Sequence, residues 1–202
     1  MSGIALGLAL VAVTVRPVAA QNEMIGFDKV HELLAGKQTR AAAYAMQEVS
    51  VDFRKELGRC HDEAIGGRMM QTEPRIDGLG AKIASGAVSA AALDKEFGEI
   101  DHLLAEHHQQ LAAEGFSRPR FTKMETVARD VSLAAQYLAR SSRWVKQPLA
   151  SDMQKAVDDA LAIAKQLAAD PGNPPVETPA VIDALGVAVK RPMRVAQGGS
   201  TP

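Results

Sequence analysis

The sequence predicts an all-α protein, an antiparallel bundle of about four helices. Three observations predict it. Four segments in series carry apolar residues at steps of three and four, which puts each set on one face of a helix turning 100° per residue. Aromatics are only 4% of the chain, a palette that suits closely packed helices better than sheets. The prolines fall between the stripes: Pro74, Pro119 and Pro148 part the middle of the chain into four long segments, and proline is hard to place inside a helix.

Taken in order, the chain opens on an uncharged apolar run, Ile4 to Val15, followed by Arg16, Pro17 and Val18-Ala19-Ala20 ahead of Gln21. Small residues before a polar one form a signal-peptidase pattern. It predicts a signal segment over residues 1–20, cleaved after Ala20, and a periplasmic or secreted product. No Lys or Arg precedes the run, which is atypical of such segments. The run is shorter than the roughly 20 residues of a membrane span, so no stable span is expected after cleavage.

The helical domain is expected over residues 21–170. Its first stripe is Ala42, Met46, Val49, Phe53, Leu57, Cys60 and Ala64; its second is Leu93, Phe97, Ile100, Leu104, His107 and Leu111. The third is Met124, Val127, Val131, Ala134 and Leu138, and the fourth is Met153, Val157, Ala160, Ala164 and Leu167. Thr122 with Glu125 and Ser151 with Gln154 match capping boxes, and Gly115 stands where the second helix would end. Thr72 to Val88, holding Gly78, Gly80 and Gly86, reads as a loop or a short helix at best. Six of the ten prolines follow residue 170. They predict a Pro-rich, largely disordered tail over 171–202, with a short helix near 180–189.

Charge bears on packing and on partners. Ser89 to Gly115 holds six acids against Lys95, a net of −5; Phe121 to Gln147 holds five bases against Glu125 and Asp130, a net of +3. Consecutive helices of opposite sign are expected side by side, although exposed pairs each contribute little. Over all 202 residues the formal net charge is −1, which gives no footprint for nucleic acid. A protein partner is compatible with this surface.

Few residues carry chemistry. His107 sits inside an apolar stripe, where an imidazole can ligate a metal or haem iron; Met46, Met124 or Met153, each on an inward stripe, would supply a second axial ligand. Cys60-His61 lacks the first cysteine of a c-type haem site, since position 57 is Leu. A buried lone Cys60 is a small hydrophobe. Glu99 and His102 have di-iron spacing, but Ile100 on the core face turns His102 about 200° away. Arg140, Arg143, Trp144 and Lys146 form a basic cluster around the only Trp, a docking patch for a partner or lipid headgroups. No phosphate loop, dinucleotide fingerprint or zinc-protease motif is present. The expectation is an exported, non-enzymatic bundle that binds or scaffolds, with a haem- or metal-binding carrier built on His107 as the alternative.

Overall fold

The computed structural model describes residues 24–192; the expected signal segment over 1–20 with its expected cleavage site, and residues 193–202, lie outside them. The described chain is all-helical. Seven helices follow in order: α1 (Phe27–Ala35), α2 (Thr39–Arg59), α3 (Glu63–Ala84), α4 (Ala90–Ser117), α5 (Met124–Trp144), α6 (Ser151–Ala169) and α7 (Thr178–Val189). Helices α4 and α5 form the central hairpin. Helix α6 packs on α5, and α7 closes back onto α4 and α6. Helices α2 and α3 form a second hairpin, with α1 against α2 and α3 against α4.

The last three stripes lie in the core as their spacing requires, except Leu111 and Met124, which are half-buried. Leu93, Phe97, Ile100, Leu104 and His107 on α4 are buried, as are Val127, Val131, Ala134 and Leu138 on α5 and Met153, Val157, Ala160, Ala164 and Leu167 on α6. Two glycines of α4 make room for the ends of the α4–α5 hairpin. A Cβ on Gly98 would stand 2.7 Å from Val145 Cγ1, and one on Gly115 would stand 2.9 Å from Thr122 Cγ2.

Several expectations are corrected. The helices number seven among the described residues, not about four. The first stripe is cut at Cys60, where extended backbone ends α2; Asp62 then caps α3, its Oδ1 accepting from Ile65 N at 2.8 Å. Ala64 is accordingly exposed. Pro74, read as a divider, lies inside α3, and most of the stretch read as loop is helix. Magnitudes explain this. An interior proline costs about 3 kcal/mol and Gly78 and Gly80 about 1 kcal/mol each. Against that, α3 buries Ile76, Leu79 and Ile83, each worth roughly 1.5–3 kcal/mol. Burial is the larger side.

Neither capping box forms. Helix α5 starts from Lys123 and α6 from Ala150, without side-chain caps; Ser89 caps α4 instead, accepting from Ala92 N at 3.2 Å. Gly115 lies inside α4, held there by the contact with Thr122. The short helix expected near 180–189 is α7, but it is packed rather than loose: Ile182, Leu185 and Val189 are buried. The helical domain therefore runs past residue 170. The expected pairing of acidic α4 with basic α5 holds for Asp101 with Arg140. Glu96, Glu99 and Glu106 turn instead to Arg75 and Arg68 of α3.

Candidate functional site

Two polar assemblies sit in the core, joined by Tyr137. The first forms where the end of α2 meets the middle of α4 and the first half of α5. His107 and His108 are both essentially solvent-free. His107 Nε2 stands 3.4 Å from Glu56 Oε2, and His108 Nε2 stands 3.7 Å from the same oxygen. On its other edge His108 Nδ1 is 3.0 Å from Asp130 Oδ1. A donor is needed against a carboxylate, so the proton belongs on Nδ1. Arg59 closes the assembly, donating to Glu56 at 2.8 Å and to Asp130 at 3.0 Å.

The charges settle in one pattern. Burial pushes the His108 pKa down, more strongly than Asp130 and Glu56 raise it, so the ring is neutral at pH 7. Burial works to raise Asp130, but the His108 hydrogen bond and Arg59 outweigh it and hold the carboxyl below its usual range. Glu56 is held low in the same way, by His107, His108 and Arg59 against burial. Two carboxylates thus face one guanidinium, with His108 neutral between them. The Nε2 atoms of both imidazoles make no hydrogen bond.

Tyr137 stacks on His108, ring centroids 5.5 Å apart, and its hydroxyl accepts from Ile25 N at 2.9 Å. Beyond it lies the second assembly. Arg140 donates to both oxygens of Asp101 at 2.7 and 2.8 Å, to Asp28 at 2.9 Å and to the Ile25 carbonyl at 2.9 Å. Its guanidinium also lies 5.5 Å from the Phe27 ring centroid and 5.4 Å from that of Tyr137, within cation–π reach. Trp144 Nε1 donates to Asp101 at 2.9 Å. Burial pushes the Asp101 carboxyl up to about 6, whereas Arg140 is held charged by Asp101 and Asp28 despite its own burial. The pull is opposite on the two sides, but a value of about 6 and the bidentate geometry both leave the pair ionised at neutral pH. Asp101 and Arg140 thereby pin the start of α1 to the central hairpin.

Above this pair opens a cleft of about 250 Å³, lined by Asp28, His31, Asp94, Arg140, Arg143, Trp144 and Lys146. All four residues of the sequence-derived basic cluster line it, in unequal roles. Arg140 is buried and fully engaged. Trp144 is half-buried, edge-on to Phe97 at 5.4 Å and tilted against His31 at 5.4 Å. Lys146 is exposed, 3.4 Å from Asp94. Arg143 is exposed and enters no ion pair among the described residues. Lys146 holds φ at 54°, a left-handed conformation that glycine adopts at lower cost.

Helix geometry places Met46 and Met124 away from His107. Met46 lies ten residues up α2 from Glu56, about 15 Å along the axis, in a groove with Ser50, Arg54 and Asp77. Met124 is half-buried at the start of α5, about 9 Å along the axis from Asp130. Met153 is buried on α6. Among the described residues no three His, Cys, Asp or Glu side chains are arranged to hold a metal ion. Glu99 pairs with Arg75 and His102 stands 3.7 Å from Glu106, so the di-iron spacing places no ligand pair inward. Cys60 is half-buried rather than buried; burial pushes its thiol up, and Sγ meets the Asp62 carbonyl at 3.5 Å.

No family model matches the chain, and comparison with curated proteins and with solved structures finds no match.

Proposed function

We propose that this protein is an exported, non-enzymatic helical binding protein whose α1–α4–α5 cleft takes a carboxylate-bearing segment of a protein partner. The observation that carries the reading is Arg143. It stands exposed and outside any ion pair among the described residues, and lines the cleft together with Trp144. A free guanidinium offers a bidentate fork to a carboxylate, and the adjacent indole gives an apolar wall. Lys146 adds a second cation at the cleft; its left-handed φ belongs to the C-terminal turn of α5, where Lys146 N donates to the Arg143 carbonyl and Gln147 N to the Ser142 carbonyl. Export rests on the apolar run and the small residues before Gln21.

The core assembly fits catalysis less well. The His108–Asp130 pair resembles an oriented base, but both imidazoles are sealed from solvent, so a substrate has no route to them. A carrier built on His107 has Met46 and Met124 too far along their helices, and Glu56 Oε2 is already bonded to Arg59.

Trp144 is the only tryptophan, so its fluorescence reports on the cleft directly. Titration with an oligo-glutamate peptide is expected to give a saturable change that R143E abolishes. K146G, which relieves the left-handed strain, is expected to weaken binding while leaving the fold intact. The absence of a saturable signal in the wild-type protein at millimolar peptide would reject the reading.

A further inference from the structure

We infer that the α4–α5 connection is a docking loop for an anionic phospholipid bilayer. The loop runs Arg118-Pro-Arg-Phe-Thr-Lys123, about 35 Å along α4 from the cleft residue Asp94. Phe121 is 88% exposed. Arg118, Arg120 and Lys123 are exposed, and none of the three enters an ion pair among the described residues. No acidic residue lies between Arg118 and Lys123; the nearest are Glu114 and Glu125.

The exposure of Phe121 is built in, not the result of a frayed end. Arg118 N donates to the Gly115 carbonyl at 3.3 Å, and Phe121 N and Thr122 N both donate to the Arg118 carbonyl, at 2.9 and 3.2 Å. Thr122 packs on Gly115, where only the missing Cβ leaves room. Pro119 fixes its own φ. The loop is thus a hydrogen-bonded turn that holds an aromatic ring in water, an arrangement that favours a covering surface.

Two physical arguments select a bilayer. Cations around one apolar tip match the interface of an anionic membrane, where the ring enters the headgroup boundary and the cations meet phosphates. A stable protein interface needs about 800 Å² on each partner, more than one six-residue turn presents; a bilayer accepts a single inserted side chain. The proposed contact is peripheral, one ring entering the headgroup boundary; no helix among the described residues is long and apolar enough to cross a membrane.

The test is flotation of the full chain with vesicles of phosphatidylcholine alone and with about a third phosphatidylglycerol added, whose anionic headgroups give the surface a negative potential. Residues 1–23 are common to all variants, so differences between variants belong to the loop. The wild-type protein is expected to bind the anionic vesicles more tightly, with binding that weakens as salt rises. R118Q and R120Q are each expected to lower partitioning about fivefold, and F121S to lower it about tenfold. Equal binding to both vesicles, or F121S and R118Q/R120Q binding as wild type does, overturns the inference. So does a loop that binds an acidic protein but no vesicle.

Discussion

Asp101 is the residue on which the α1 end of the molecule depends. Its carboxylate takes two bonds from Arg140 and one from Trp144. Replacement by Asn keeps the shape but leaves Arg140 charged and buried against a weaker acceptor. D101N is therefore expected to lose about 3–5 kcal/mol of stability, read as a lowered midpoint in urea unfolding. His108 governs a different property. Its folded pKa is depressed by burial, so the unfolded chain takes up the proton first as pH falls below about 6.5. The His108 contribution is then full above about pH 6.5 and declines as pH falls toward the folded value, while Asp101, raised to about 6, works in the opposite direction below that pH. His102 is depressed by burial too and acts in the same direction as His108. H108Q is expected to flatten the decline by up to about 1.4 kcal/mol per pH unit, measured as urea midpoints at stepped pH; an unchanged slope would show that His108 takes up its proton at the same pH in the folded and unfolded chain.

At the scale of elements, α3 is the helix whose sequence argues against it, and it offers the cleanest local prediction. A Cβ on Gly78 meets nothing within 4 Å, and its φ is not left-handed. Gly78→Ala is expected to stabilise by about 1 kcal/mol, whereas Gly98→Ala, which would force Val145 aside, is expected to destabilise; thermal melts of the two variants decide. The same comparison shows what could be read beforehand. Helices α4, α5 and α6 were legible because unbroken steps of three and four dominate their faces. Helix α3 was not, because Pro74, Gly78 and Gly80 are local signals and the burial of Ile76, Leu79 and Ile83 is a tertiary one. His107 stood out as the one polar residue on an apolar stripe. Glu56, Arg59 and Asp130 did not, since each flanks its stripe and reads as solvent-facing until the neighbouring helix is in place. The His107-His108 pair was the available clue: adjacent residues on a helix point about 100° apart, so two buried histidines need polar partners from two directions. The cluster of Arg140, Arg143, Trp144 and Lys146 was legible as a group, but its division into a buried anchor and exposed cations needed the fold.

For the whole molecule, the question is where the folded unit ends. The proline count places the boundary at Asp170, yet α7 lies beyond it and closes the packing of α4 and α6. Its inner face is Ile182, Leu185 and Val189, all buried. Gly186 lets Gln109 approach so closely that a Cβ there would stand 2.7 Å from the amide nitrogen, and that amide donates to the Ile182 carbonyl at 3.3 Å. Arg191 ties the end of α7 to Asp152 at the start of α6. Exposing three large apolar side chains costs roughly 5–9 kcal/mol as an upper figure, comparable with the total stability of about 5–15 kcal/mol of a typical domain. A chain stopped after Asp170 is therefore expected to keep much of its helical far-ultraviolet signal while losing near-ultraviolet signal and a cooperative urea transition, as packing fails before helices do. If the shortened chain unfolded cooperatively at the wild-type midpoint, α7 would be an appendage on a complete six-helix body. The buried contacts along its whole inner face argue that it is the last wall of the core.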